Sequence, residues 1–237
     1  MRDLPKLMLG TSPFIGAGQF GRRAREYYIK FSENPNLITE IALESFKYGA
    51  EGVQVLPVEY IIEAIKRAVR TSGKDIAIIP TITSITDVNY FEDMNVPVVI
   101  IHGWLFDRGN FTLIKDLTVA LKDRGFLVGQ ALHRPCYGIE KMLELELELD
   151  VIMVPLNPIG YMYDCEEKVY VDKLYKIVGK RKVKVIAKKT LAAGRVSVEE
   201  VVKYMKPMRN IINSITVGIT SKEEARETFL AFKKIFE

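Results

Sequence analysis

The chain has 237 residues, of which 48% are hydrophobic and 27% charged, so it has enough apolar side chains for a large core and is not of the disordered class. Its 34 basic and 30 acidic residues leave a net charge of +4, too small and too mixed to indicate a nucleic-acid partner. No apolar run approaches the roughly 18 residues of a membrane span, and the opening MRDLPKLMLG is not typical of a signal peptide. We therefore expect a cytoplasmic protein with no membrane partner.

The cysteines and other ligand-type residues give no sign of a metal centre. Cys136 and Cys165 are the only two cysteines, and they lie far apart in sequence without metal-ligand spacing. We expect two free thiols in a reducing compartment. The histidines and carboxylates near the ends of the apolar runs show no short-range ligand pair, so no metal site is predicted.

Eight short apolar runs, rich in β-branched residues, recur along the chain. In order they span 6–10, 52–56, 76–81, 97–102, 126–131, 150–155, 183–188 and 214–218. Each run is apolar almost throughout, as a strand buried on both faces of a parallel sheet should be.

Segments with the apolar spacing of helices separate these runs. They span 36–48, 58–69, 111–121, 139–147, 169–178, 198–205 and 221–236, and 86–94 has the weakest pattern. Ser221 followed by Glu224 is typical of a capping box at a helix start. Strand followed by helix, repeated eight times, predicts a single-domain (β/α)8 barrel of the α/β class over residues 1–237, the TIM barrel.

Two connections in this pattern are long, 11–35 and 156–167. Both follow strands, so both are predicted at the C-terminal face of the barrel, where the active sites of this fold lie. The basic stretch GRRAR at 21–25 belongs to the first connection. It is either a solvated loop or an anion contact over the barrel mouth.

Candidate catalytic residues lie at and just after the strand ends. His102 and His133, the only two histidines, both fall there, and a neutral imidazole can donate to a carbonyl or act as a general acid or base. The alternative is a histidine satisfied by a neighbouring backbone carbonyl. Glu59 is either a carboxylate base or a residue that stabilises a helix start.

Lys188 and Lys189 end the seventh run. Because side chains alternate along a strand, one lysine is expected to point into the barrel mouth and the other outward. A buried lysine with a lowered pKa can form a Schiff base, as in an aldolase. The alternative is a lysine paired with a carboxylate or an anionic ligand.

Small residues follow the seventh and eighth runs. In many barrels the backbone amides of these loops and of the next helix bind phosphate. The predicted anion-binding residues are Leu191, Ala192, Ala193, Gly194, Arg195, Gly218, Thr220 and Ser221. The alternative is a pair of tight turns and a helix cap.

Segments LGTSPFIGAGQFG (9–21), VIAKKTLAAGRV (185–196) and TVGITSKEEARETF (216–229) resemble the aldo-keto reductase superfamily, and VVIIHGW (98–104) and 121–157 fit it more loosely. The resemblance implies the (β/α)8 fold, an NADP(H) cofactor and a catalytic tyrosine, lysine, aspartate and histidine. Only the histidine is matched cleanly, by His102. Tyr60 is one residue out of step with the tyrosine position, Leu56 holds the aspartate position, and the lysine position falls on Pro80 or Thr81.

The family residues that orient the nicotinamide fall on Ala131-Leu132 and on Met153, and a tyrosine without its lysine and aspartate is a poor acid at neutral pH. We therefore expect a barrel that binds a phosphate-bearing small molecule, a nucleotide or a sugar phosphate, and catalyses lyase or isomerase chemistry with His102 as acid or base. One alternative is an NADP(H)-dependent reductase with a shifted site built on Tyr60 and His102. Another is a barrel that binds a ligand without catalysis.

Overall fold

The strands form a closed parallel barrel in the computed structural model, which describes residues 4–237, so residues 1–3 of the predicted domain lie outside the described residues. Each strand pairs with its neighbours in sequence, and β8 closes the barrel by pairing with β1, Gly218 opposite Gly10. The strands are β1 (Leu7–Gly10), β2 (Gly52–Val55), β3 (Ala77–Ile82), β4 (Val98–Ile101), β5 (Leu127–Ala131), β6 (Val151–Pro155), β7 (Lys184–Lys188) and β8 (Ser214–Gly218). All eight predicted strands are confirmed.

Helices surround the barrel and return the chain to its N-terminal face after each strand. They are α1 (Arg23–Glu33), α2 (Asn36–Tyr48), α3 (Glu59–Ser72), α4 (Gly103–Asp107), α5 (Phe111–Asp123), α6 (Pro135–Glu144), α7 (Glu167–Arg181), α8 (Val198–Met205) and α9 (Lys222–Phe236), with 3-10 turns at Gly18–Phe20, Ile85–Phe91 and Lys206–Met208. The chain is thus a single-domain (β/α)8 barrel.

The alternation of side chains along each strand divides the core into two layers. In β1, for example, Met8 points into the barrel, while Leu7 and Leu9 point outward to the helices. In β7 the inward positions are Ile186 and Lys188, so a lysine takes an interior position at the top of the barrel.

Helix α4 was not among the predicted helices, and the structure departs from the prediction in three further places. The connection 11–35 contains α1. Its sequence, RAREYYIKFSE, is too rich in charged residues to show the apolar spacing of a helix. Helix α6 begins earlier than predicted, at Pro135, because Asp164 accepts hydrogen bonds from the Cys136 and Tyr137 amides at its start. The weak segment 86–94 is a 3-10 helix.

The expectation of two free thiols is wrong, because Cys136 and Cys165 form a disulfide. It joins the start of α6 to the end of the long connection between β6 and α7, two segments whose closeness the sequence does not indicate. Among residues 4–237, no helix is both long and apolar enough to cross a membrane.

Candidate functional site

A cavity of about 890 Å³ opens at the C-terminal ends of the strands. This volume suits a small-molecule ligand. Its wall takes residues from every strand end or the loop after it, among them Ser12, Gln54, Thr81, His102, His133, Met153, Lys188, Thr190, Thr216 and Gly218. The C-terminal face of the barrel, predicted to hold the active site, therefore contains a cavity of ligand size.

Lys188 lies at the floor of this cavity with only 8% of its surface exposed. In the part of the chain that the structure describes, its ammonium group makes no hydrogen bond and no ion pair. Burial, and then the neighbouring Lys189 charge, hold the Lys188 pKa well below its usual value, against a smaller opposing effect of Asp107. Burial of an unpaired lysine thus favours its uncharged amine form relative to a lysine in water.

The floor also carries neutral polar groups. Gln54 donates a hydrogen bond to the Thr81 hydroxyl at 2.8 Å. The buried hydroxyls of Thr190 and Thr216 line the cavity and have no partner among the described residues. These two hydroxyls can therefore hydrogen-bond to a ligand or to water in the cavity.

His133 forms a dyad with Asp107, with 2.7 Å between its Nδ1 and the Asp107 Oδ2. The carboxylate accepts the Nδ1 proton, so the lone pair lies on Nε2. Burial and the Lys188 charge lower the pKa of His133 to about 4, against the raising effect of Asp107. His133 is therefore neutral at pH 7, and the lone pair on its Nε2 is available to a ligand.

Gly103, at the start of α4, allows the dyad to form. A Cβ at this position would lie 2.9 Å from Cε1 and Nδ1 of His133 and 3.0 Å from the Ala131 carbonyl oxygen. A residue with a Cβ at position 103 would not leave room for the imidazole ring in its present place.

His102 has the opposite role. Its Nδ1 accepts a hydrogen bond from the Trp104 amide at 3.1 Å, which caps the start of α4, so its proton lies on Nε2. Burial and then Lys188 lower its pKa. His102 lines the cavity as a neutral donor, 5.8 Å from His133 between ring centroids.

The predicted outward direction of one lysine is wrong, because Lys188 and Lys189 both line the cavity. Lys189 has a φ of 55°, which reverses the alternation of the strand. Its Nζ donates to Met162 Sδ at 2.6 Å. Burial lowers the pKa of Lys189 to about 8.

The predicted anion-binding residues are only partly brought together. Leu191, Ala193, Gly194, Gly218 and Thr220 line the cavity, whereas Ala192, Arg195 and Ser221 do not. Ala192 is fully buried, and Arg195 lies over the Tyr161 ring and donates to the Ala192 carbonyl.

The start of α9 is occupied by the protein's own carboxylate. Ser221 caps the helix as predicted, but Glu224 accepts hydrogen bonds from the amide and hydroxyl of Thr220 instead of the Ser221 amide. Arg23 lines this end of the cavity without a carboxylate partner among residues 4–237, and it donates to the Ala193 carbonyl beside Gly194. GRRAR was predicted to be either a solvated loop or an anion contact over the barrel mouth. The place of Arg23 at the mouth favours the second interpretation.

Two predicted catalytic residues lie outside the cavity wall. Glu59 is an exposed residue in the first turn of α3, where its charge stabilises the helix. Tyr60 donates its hydroxyl proton to the Phe14 carbonyl at 2.7 Å, and burial raises its pKa. Neither side chain lines the cavity.

The cavity wall offers little to a nicotinamide ring. Ala131 and Met153, which take the positions that the resemblance to aldo-keto reductases assigns to nicotinamide contacts, present apolar groups to the cavity. Tyr60 lies outside the wall as well, so of the shifted reductase pair Tyr60 and His102 only His102 faces the cavity.

Sequence reasoning missed several wall residues. Gln54 and Thr216 lie within apolar strands, and only their period-two position indicates an inward direction. Asp107 follows His102 by five residues, so its place beside His133 depends on the single-turn helix α4 and could not be read from spacing.

No family model matches the chain, and no curated protein is similar to it in sequence. In structure it is similar to an aldo/keto reductase from Brucella melitensis, with a TM-score of 0.63 and 14% identity over 98% of this chain and 94% of that one. An N-acetylneuraminic acid synthetase from Leptospira borgpetersenii gives a TM-score of 0.59 and 10% identity, covering 98% and 84%. Orotidine 5′-monophosphate decarboxylase from Methanocaldococcus jannaschii gives 0.53 and 16%, covering 98% and 99%. At these identities the likeness establishes the TIM-barrel fold, which these enzymes share, and leaves the reaction open.

Proposed function

We propose that the chain is an enzyme of the lyase or isomerase type that forms a Schiff base between Lys188 and the carbonyl group of a small anionic compound. The observation that carries this proposal is the state of Lys188, a buried amine at the cavity floor with no carboxylate partner among the described residues. An amine is nucleophilic only when it is unprotonated, and burial favours that state by lowering the Lys188 pKa.

The first step joins the amine to the substrate. The Lys188 nitrogen attacks the carbonyl carbon to give a carbinolamine, and the two amine hydrogens leave with the carbonyl oxygen as water. The His102 Nε2–H is a neutral donor in the same wall and can hydrogen-bond to the departing oxygen. The product is an imine that draws electrons when protonated.

The second step uses the dyad. His133 Nε2 accepts a proton from the substrate, either from a hydroxyl β to the iminium carbon or from the carbon next to it. In the first case a C–C bond breaks, which is a lyase reaction; in the second the double bond moves, which is an isomerisation. In both cases the electron pair passes to the iminium nitrogen and leaves an enamine on Lys188. Return of the proton to carbon regenerates an iminium, and attack of water on it releases the product and frees the amine, so no oxidant or reductant is required.

The anionic part of the substrate is assigned from charge. Arg23 has no carboxylate partner among residues 4–237 and borders the turn that contains Ala193 and Gly194. A phosphate or a carboxylate on the substrate fits this end, with the Thr190 hydroxyl as a further donor. The orotidine 5′-monophosphate decarboxylase of the same fold has, by its name, a phosphate-bearing substrate.

Borohydride trapping tests the proposal. The protein is incubated with phosphorylated carbonyl compounds in one arm and with carboxylated ones in another, reduced, and digested for mass spectrometry. We expect an adduct on Lys188 that is lost in Lys188→Met and retained in Lys176→Met, which changes an exposed lysine of α7. Equal labelling of surface lysines, with none on Lys188, would contradict the proposal.

A further inference from the structure

The two lysines at the end of β7 share one cavity because of the backbone at the second of them. Ile186 and Lys188 point into the barrel and Ala187 points to the helices, so a regular strand would direct Lys189 away from the cavity. At a φ of 55° the chain turns back, and Lys189 lines the cavity. For a residue other than glycine this conformation costs about 1 kcal/mol.

The contact that holds Lys189 in place does not neutralise its charge. Its Nζ donates to Met162 Sδ, an uncharged acceptor, and Met162 itself has a φ of 65°. Two residues in the left-handed region thus meet across the loops after β6 and β7. The result is an ammonium group beside Lys188 with no carboxylate bonded to it in the described residues.

The other groups around Lys188 leave this charge largely unopposed. His102 and His133 face it from the ends of β4 and β5, and both are neutral at pH 7. Asp107 of α4 is the carboxylate that raises the pKa of both lysines, and it is bonded to His133. Arg23 of α1 and Glu224 and Glu227 of α9 line the same cavity.

We propose that Lys189 is a positioning residue that acts through Lys188, its positive charge adding to the effect of burial in favouring the uncharged amine that attacks a carbonyl. This inference rests on the proposed function, since only covalent chemistry at Lys188 needs a neutral amine. Of the charged neighbours, Lys189 has the largest effect in lowering the Lys188 pKa. Because the Lys189 pKa is itself about 8, the charge is present at neutral pH.

The test measures the protonation of Lys188 directly, without a substrate. Trace acetylation with acetic anhydride at a series of pH values, followed by peptide mass spectrometry, gives a titration midpoint for each lysine. In Lys189→Met we expect the Lys188 midpoint to rise by about one pH unit, the effect of one nearby charge in a dehydrated site. In Lys189→Arg, which retains the charge, the midpoint should stay at the wild-type value.

An unchanged Lys188 midpoint in a folded Lys189→Met variant would overturn the inference, and so would an equal rise in Lys189→Arg. As a second measurement, Asp107→Asn removes the opposing charge and should lower the Lys188 midpoint. The outcome is independent of borohydride trapping. A midpoint that shifts while no carbonyl adduct forms would reject the proposed reaction and retain the electrostatic role of Lys189.

Discussion

His133 and Asp107, 26 residues apart in sequence, are joined by a 2.7 Å hydrogen bond at the mouth of the barrel. The bond links the loop after β5 to the single-turn helix α4 and fixes which imidazole nitrogen faces the cavity. A carboxylate that orients a histidine in this way is a common support for a general base. Much of the proposed chemistry depends on this pair.

Asp107→Asn should lower turnover of any substrate found by trapping by about 10²- to 10⁴-fold, the usual contribution of a general base. The carboxamide can present its NH2 group to Nδ1 and so favour the wrong tautomer. Single-turnover rates measure the effect. Adduct formation at Lys188 should persist, because the base acts after the imine forms. Unchanged turnover in Asp107→Asn would exclude the dyad from catalysis.

The two histidines should hold opposite tautomers at pH 7. His102 accepts at Nδ1 from the Trp104 amide and is protonated at Nε2, whereas His133 gives its Nδ1 proton to Asp107. Because the chain has only 2 histidines, ¹⁵N spectra of the imidazole rings can be assigned by removing one of them. The same tautomer in both rings would be inconsistent with this geometry.

Gly103→Ala should displace His133, since the added Cβ would lie 2.9 Å from the ring. We expect loss of turnover similar to Asp107→Asn and a shift of the His133 ring signals. Gly179→Ala in α7 is the matched control, because a Cβ there meets nothing within 4 Å. That variant should keep full activity and gain up to about 1 kcal/mol of stability, as expected for glycine to alanine within a helix.

Reduction of the disulfide should destabilise the fold. Cys136 and Cys165 are 29 residues apart, and closing a loop of that length in the unfolded chain contributes about 3 to 4 kcal/mol. For a domain of this size that corresponds to a fall in melting temperature of roughly 10 °C. Calorimetry with and without reductant, with Cys136→Ala/Cys165→Ala as the comparison, checks this; equal melting temperatures would show that the crosslink contributes nothing.

The architecture could be predicted because each element has a local signal. The apolar runs ending at Gly10 and Gly218 identify the strands that close the barrel, and Ser221 correctly marks the start of α9. The candidate site was predicted less well. Lys188 and both histidines were found from their place at strand ends.

What the sequence could not show depends on single backbone angles and on contacts between distant loops. Alternation along a strand wrongly predicts that Lys189 points outward, because nothing local indicates its positive φ. The resemblance points to Tyr60, but the Tyr60 hydroxyl is bonded to the Phe14 carbonyl, on another loop. The pairing of Cys136 with Cys165 likewise depends on how α6 and the β6–α7 connection pack.

The pH dependence of adduct formation follows from the Lys188 pKa. A protonated amine cannot attack a carbonyl, so the trapping rate should fall as pH falls through the lowered pKa and level off above it. The plateau should therefore begin well below the ordinary lysine value of 10.5. A rate that keeps rising up to that value would indicate an unperturbed lysine.

Schiff-base formation at Lys188 is tested most directly by finding which lysine carries the trapped carbonyl compound at pH 7. After borohydride reduction, tandem mass spectrometry of the digested protein reports how the adduct is distributed over the lysines. We expect one dominant adduct, on Lys188, which disappears in Lys188→Met while the variant remains folded. An adduct distribution that follows surface exposure, with Lys188 unmodified, would contradict it.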